Sequence, residues 1–154
     1  MPPLDELDHE SHVAETIDLA REAGERGDGP FGSLLVVDGE VVMAETNREY
    51  TDDDITSHPE LTIARRAARE LTAEERARAI MYTSTEPCPM CSGGIAISPL
   101  GAVVYSVSGE RAAEELGGAP GVPCDEVFER WGVEIEVVGG VLEDRGLDVR
   151  RAFQ

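Results

Sequence analysis

The sequence predicts an α/β fold in which helices cover a central sheet. Three observations predict it. Aliphatic strand-like runs alternate with helical periodicities, an aliphatic hairpin turns at Asp38-Gly39, and 41% of the 154 residues are hydrophobic, enough for one sizeable core. A single domain spanning residues 1–154 is expected.

Over residues 10–26 the apolar positions Val13, Ile17, Leu19, Ala20 and Ala23 recur at helical spacing, with Ser11 as the expected cap and Gly24 and Gly27 near the end. Residues 32–37 and 41–46 are aliphatic runs around Asp38-Gly39-Glu40, and they read as the first two strands because Asp-Gly suits a tight hairpin turn. A polar stretch over 47–57 leads into a helix over 59–71, whose buried stripe is Leu61, Ala64, Ala67, Ala68 and Leu71. Pro59 suits the first helical position, where no amide hydrogen is needed. Residues 79–83 read as a buried third strand, 88–97 as a helix and 102–106 as a fourth strand. Beyond Gly109 the pattern predicts short helices over 111–116 and 125–131 and an edge strand over 133–138. The polar tail over 143–154 fits no one element. No internal repeat or low-complexity linker interrupts the chain.

Charge is the outstanding feature of the composition. Thirty-two acidic residues oppose 13 basic ones, for a net charge of -19, and every basic residue is arginine. Such a surface repels itself in dilute buffer, whereas concentrated salt shortens the Debye length to a few ångströms and removes most of that cost. The balance predicts a high-salt cytoplasm; avoidance of nucleic acid is the rival explanation. The N-terminal residues lack the basic and apolar regions of a signal peptide, and no stretch approaches about 20 uninterrupted apolar residues, so a soluble cytoplasmic protein without membrane contact is expected. Three cysteines cannot build a disulfide framework.

The chemistry concentrates in three places. His58 opens one helix, and Cys88 and Cys91 stand in the first turn of another. One imidazole and two thiolates suit zinc, and three protein ligands leave a fourth tetrahedral position open for water, the mark of a catalytic site. Glu60, two residues beyond His58, stands where a proton shuttle belongs. Taken singly, each has a plainer reading: a histidine cap, a redox or structural Cys-x-x-Cys, a glutamate serving a helix dipole worth about 0.3–1 kcal/mol. The combination His-x-Glu, 26 residues, then Pro-Cys-x-x-Cys is far more specific and has the signature order of zinc nucleobase deaminases. A thioredoxin-like reading leaves His58 and Glu60 without a role, and a closed structural site lacks a fourth ligand, since Cys124, His9 and His12 lie far away in sequence. Cys124 is expected to be a bystander.

Residues 28–105 resemble the cytidine deaminase-like superfamily, in the branch holding guanine deaminases, cytosine deaminases and transfer-RNA adenosine deaminases. The resemblance rests on Gly29-Pro30-Phe31-Gly32, Asn47, His58-Pro59-Glu60 and the run from Tyr82 through Pro87-Cys88-Pro89-Met90-Cys91 to Gly94, with Thr-Ser-x-Glu-Pro-Cys-Pro-Met-Cys closest in style to guanine deaminases. It implies a three-layer α/β/α fold with a five-stranded mixed central sheet. It also implies one Zn2+ per chain, with its water, on His58, Cys88 and Cys91, and Glu60 as general acid/base. By the same resemblance Asn47 hydrogen-bonds the substrate ring, the carbonyl of Glu86 faces the leaving amino group, and Phe31 walls the pocket. Pro59 departs from the family's usual alanine, whose amide hydrogen often meets a substrate acceptor; proline has none, so altered substrate recognition is expected, with a good helix start as the plainer reading.

The implied reaction is hydrolytic deamination of a free heterocycle such as guanine, with an RNA deaminase as the alternative. Arg65, Arg66 and Arg69 cluster on one helix and Arg150 with Arg151 in the tail, but acidic residues surround both groups, and 5% aromatic residues leave few stacking platforms. A small-molecule heterocyclic substrate without nucleic acid is therefore expected. A zinc-stabilised binding protein without turnover is the reading of another class, disfavoured by the presence of Glu60. Residues 151–153 are a candidate cover for the pocket, and the resemblance implies a homodimer.

Overall fold

The structure is a computed structural model that describes residues 1–153. After a 3-10 turn at Leu4–Glu6, the order is α1 (His9–Arg26), β1 (Gly32–Val37), β2 (Glu40–Thr46), α2 (Pro59–Glu70), α3 (Ala73–Ala77), β3 (Ala79–Thr85), α4 (Pro89–Ile97), β4 (Ala102–Val107), α5 (Gly109–Leu116), α6 (Cys124–Trp131), β5 (Glu136–Val138) and α7 (Glu143–Ala152). Among the described residues the strands form one mixed sheet in the order β2-β1-β3-β4-β5. β1 runs antiparallel to β2 and β3, while β3, β4 and β5 are mutually parallel.

Strand alternation divides the core into two faces. Leu35, Val37, Ala79, Met81 and Val103 meet Ile63, Ala64 and Ala67 of α2, Ile95 and Ala96 of α4, and Phe128 of α6. Leu34, Val36, Ile80, Tyr82, Ala102 and Val104 meet Val13, Ile17 and Ala20 of α1 and Val149 of α7. Both faces are therefore covered, which is why β1, β3 and β4 are near-continuous apolar runs, and the layers are α/β/α as expected. The hairpin between β1 and β2 turns at Asp38 and Gly39, with φ of 51° and 82°; both central residues are left-handed, the geometry Asp-Gly tolerates.

Five expectations need correction. The buried face of α2 is Ile63, Ala64 and Ala67, with Leu61 and Leu71 half-buried and Ala68 exposed, because the helix faces the sheet through a stripe shifted from the expected one. α1 begins at His9 and its cap is Asp8, whose carboxylate accepts the Ser11 amide at 3.1 Å, so Ser11 lies inside the first turn. α3 has no counterpart in the sequence reading: five residues carry too little periodicity, although Thr72 and Glu75 form a reciprocal capping box. The edge strand is only Glu136–Val138, because Gly132 at φ 85° ends α6 and the Val133 amide still bonds Phe128 of that helix. The tail is a helix, α7, burying Gly146, Leu147 and Val149 on one face; so few apolar positions among charged ones conceal the period. Of the 143–154 segment, Gln154 lies outside the described residues.

The βαβ unit β3-α4-β4 positions the chemistry. Its parallel strands end at Thr85 and Val107, and Glu86 continues the register by donating its amide to the Val107 carbonyl at 2.7 Å. α4 therefore starts beside the carboxyl ends of the parallel strands, where open α/β sheets place ligands.

Candidate active site

Two helices begin at the same point. His58 is the N-cap of α2 and Cys88 that of α4, each followed by a proline at the first helical position. Proline fixes φ and gives up an amide hydrogen that the first turn leaves unbonded anyway. The positive ends of two helix dipoles thus converge where thiolates and a carboxylate gather.

The donor atoms are close-set. His58 Nδ1 lies 3.7 Å from Cys88 Sγ and 3.5 Å from Cys91 Sγ, and the two sulfurs are 3.6 Å apart. Donors bonded to one tetrahedral zinc at about 2.3 Å (sulfur) and about 2.0 Å (nitrogen) stand about 3.5–3.8 Å from one another, so this donor set fits zinc in both chemistry and spacing. Among the described residues these three form the one group of histidine, cysteine and acidic side chains so disposed. Their protons reflect mutual competition. A hydrogen bond from Cys91, with help from His58, brings the Cys88 thiol down to about 4 against the opposing effect of burial. The same sulfur bond and burial push Cys91 far up, and the bond to Cys88 holds His58 at about 9 despite desolvation.

Glu49 contacts the other side of the imidazole, pairing with His58 Nε2. A carboxylate there holds a proton on Nε2 and turns Nδ1 toward the two sulfurs, so that loss of the Nδ1 proton leaves its lone pair for a metal. Asn47 Oδ1 accepts the Glu49 amide at 2.9 Å, and Asn47 Nδ2 stands 3.4 Å from Glu49 Oε1. This loop is anchored by buried Asp28, which accepts the amides of Tyr50 and Thr51, the Thr51 hydroxyl and Arg26 Nε. Burial alone would raise the Asp28 carboxyl, but Thr51 and Arg26 outweigh it and hold it at about 2.

Glu60 is 3% exposed, with Oε1 accepting the Ser33 hydroxyl at 3.1 Å; Ser33 Oγ also lies 2.8 Å from Thr83 Oγ1. Burial is the largest influence on its carboxyl and raises it to about 7, with the Cys88 thiolate adding to the rise and His58 opposing it. A group that exchanges its proton near neutrality is suited to moving protons in both directions.

A cavity of about 290 Å³ opens onto these groups, and Phe31, Asn47, His58, Pro59, Glu60, Glu86 and Cys88 all line it. Cys91, fully buried, lies beneath it. The structure thus brings together every residue singled out from the sequence, and it leaves Cys124 in the core and His9 and His12 against Tyr82 in the α1 layer. The carboxylate of Glu86 is engaged by backbone. Its Oε1 accepts the amide of Gly109 and its Oε2 that of Cys124, both at 2.9 Å, tying the starts of α5 and α6 together. The loop between those helices, with Gly117, Ala119, Pro120, Gly121 and Val122, forms the far wall. Residues 151–153 do not cover the cavity. Arg151 pairs with Glu115 at 2.7 Å, and Phe153 packs where a Cβ on Gly24 would stand 2.5 Å from its ring, whereas Arg150 does line the cavity. Ser33 and Glu49 escape the sequence reading, and Arg150 enters it as a cation of the tail without its place at the cavity. A lone serine in the aliphatic run of β1 is a readable signal for the first; sequence distance hides the partners of the other two.

A mixed sheet with a histidine and two cysteines at paired helix starts, beside a buried glutamate, defines the class of zinc-dependent aminohydrolases. The family model described as the cytidine and deoxycytidylate deaminase zinc-binding region matches residues 7–107, and the chain belongs to that family. It is 32% identical over 145 residues to the tRNA-specific adenosine deaminase of Bacillus subtilis (strain 168), covering 94% of this chain and 87% of that protein. To the guanine deaminase of the same organism it is 38% identical over 109 residues, 70% of each chain. The solved structure of a guanine deaminase from Nitrosomonas europaea superposes with a TM-score of 0.74 at 24% identity, covering 94% of this chain and 83% of that one, a likeness of fold. The protein is accordingly a zinc-dependent deaminase acting on a nucleobase or nucleoside amidine.

Proposed function

We propose that the protein hydrolytically deaminates a free nucleobase or related amino-heterocycle, in the manner of a guanine deaminase, as a single deaminase domain over residues 1–154. The observation that carries this reading is the size of the cavity. About 290 Å³ suits one bicyclic base, and it sits at the small end of ligand sites.

His58, Cys88 and Cys91 hold the metal in this reading, and Zn2+, when bound, supplies the Lewis acidity that lowers the pKa of water from about 15.7 toward about 7. Glu60 takes a proton from the attacking water and passes it to the ring nitrogen as the new carbon–oxygen bond forms. It then carries the second water proton to the amino group, the carbon–nitrogen bond breaks, and ammonia leaves with a carbonyl in its place. Ser33 keeps the Glu60 carboxylate aimed during both transfers. Asn47, fixed by Glu49, presents its amide to the ring, Phe31 offers a face, and the Glu86 carbonyl is free to meet the leaving amino group while its carboxylate is engaged elsewhere. Pro59 offers no amide hydrogen to the cavity, so a substrate acceptor facing it must find another donor, a loss of about 1–3 kcal/mol if none is there.

A second reading is supported by the relative named as a tRNA-specific adenosine deaminase, similar along 94% of this chain. Against it, Arg66 is already paired with Glu45 and Glu70, both at 3.0 Å, and the net charge of -19 opposes a polyanion. Among the described residues no helix is long and apolar enough to cross a membrane, and we place the protein in a high-salt cytoplasm as a homodimer.

Ammonia release by the zinc-loaded protein in high salt, across guanine, cytosine, adenine, isocytosine, their nucleosides and a transfer RNA, tests both readings. Turnover of a free base is expected, and Glu60→Gln should lower it by at least about 10²-fold while keeping one zinc per chain. Turnover of the transfer RNA alone would establish the second reading instead.

A further inference from the structure

Arg150 stands apart from the other cavity residues. It enters from α7, in the helical layer opposite the metal donors, and passes the end of β3 to reach the cavity. Its guanidinium carbon lies 4.9 Å from the centroid of the Phe31 ring, and Nη1 donates to Thr85 Oγ1 at 3.2 Å. Both contacts are neutral. Its neighbour Arg151 pairs with Glu115 and Asp148, and Arg111 with three carboxylates, whereas among the described residues no carboxylate lies within ion-pair distance of Arg150; Arg21, Arg65, Arg69, Arg76 and Arg145 also lack such a partner, but none of them lines the cavity.

Arg150 is thus a partly buried cation at the cavity with no carboxylate of its own, in a chain with 32 acidic residues. Desolvation pulls its pKa down with nothing to offset it. The nearest carboxylates of the cavity have other work: both oxygens of Glu86 accept backbone amides, and Glu60 is held by Ser33. A guanidinium carries five N–H donors in a planar fork, and one of them is engaged by Thr85. Contact with the Phe31 ring and the hydrogen bond to Thr85 hold the guanidinium at the cavity wall and leave its other donors for a carboxylate or similar anionic oxygen, which a guanidinium binds in bidentate fashion.

Resting on the reading that this site deaminates a free heterocycle, we propose that Arg150 determines specificity by binding an anionic oxygen on the substrate. The preferred substrate is then a small amino-heterocycle bearing a carboxylate or an ionised ring oxygen. The ligand completes the ion pair that the protein leaves open, and the cavity distinguishes it from the neutral parent base. The cavity's small volume suits an acidic group carried on the ring itself.

Matched pairs test this. Cytosine against 5-carboxycytosine, and pterin against pterin-6-carboxylate, differ by a single carboxylate while keeping the amidine. The zinc-loaded protein should favour the carboxylated member of at least one pair by about 10- to 100-fold in kcat/KM, and in Kd by calorimetry. Arg150→Gln should erase that ratio, Arg150→Lys should retain part of it, and neither should lose zinc. A ratio unchanged in Arg150→Gln, or an equal loss on both members of each pair, overturns the proposal, the second result marking Arg150 as a support for Phe31 only. Calorimetry keeps the two readings separable. If nothing is deaminated yet carboxylated ligands bind in an Arg150-dependent way, the proposed reaction fails and the anion site stands; deamination of neutral bases with no carboxylate preference leaves the reaction intact and removes the site.

Discussion

At the scale of single residues, the site depends on groups that touch the ligands more than on the ligands alone. Glu49 fixes which nitrogen of His58 faces Cys88 and Cys91, and an imidazole free to flip would present either tautomer. Glu49→Ala should therefore weaken zinc binding by about 10- to 100-fold, measured by competition with a chromogenic chelator, while Glu49→Gln, which still accepts from Nε2, should fall between. Equal affinity in all three proteins would show that the thiols orient the ring unaided. His58, Glu60, Cys88 and Cys91 are legible in the sequence because their chemistry is local: each pair stands within one helical turn. Glu49 is not legible, since the loop over 47–57 has no period and its path is set by Asp28, more than 20 residues earlier in the chain.

At the scale of elements, the far wall of the cavity is held by one carboxylate. Glu86 accepts the first amides of α5 and α6, helices of only eight residues each that lack the length to be stable alone. α5 also has Ser108, whose hydroxyl accepts the Arg111 amide, but Pro123 gives α6 no side-chain cap, so α6 depends more on Glu86. Glu86→Ala should release both starts, raising KM several-fold and lowering stability by about 2–4 kcal/mol, since each hydrogen bond involves a charged acceptor. Hydrogen exchange is the direct measurement: amides in residues 109–131 should exchange faster, whereas those of β3 and α4 should not. Uniform acceleration would point to global destabilisation. The same elements explain the limits of sequence reading. β1, β3 and β4 are plain because both faces are buried, and α2 because its apolar positions recur over three turns. α3 and α7 are obscured because their few apolar or capping residues gain meaning only from what they pack on.

At the scale of the whole molecule, charge sets the conditions under which the fold is stable. Thirteen arginines cannot neutralise 32 acidic groups, and most ion pairs seen are surface pairs such as Arg78 with Asp38 or Arg66 with Glu70. Salt weakens such pairs, each worth about 0–1 kcal/mol, but it also screens the larger repulsion among the excess carboxylates. The two effects have opposite signs, and a net charge of -19 decides between them in favour of stabilisation. The Debye length falls from about 10 Å at 0.1 M to about 3 Å at 1 M, so the gain should be steep below 1 M and flatten above it. We expect the melting temperature to rise by at least about 5 °C across that interval in KCl, equivalent to about 2 kcal/mol for a chain of this size. Sucrose is the control, because it stabilises by exclusion without screening and should give a straight, unsaturating rise. A melting temperature independent of KCl would mean that the carboxylates are far enough apart to tolerate dilute buffer, and the acidic surface would then need the other explanation, the rejection of nucleic acid.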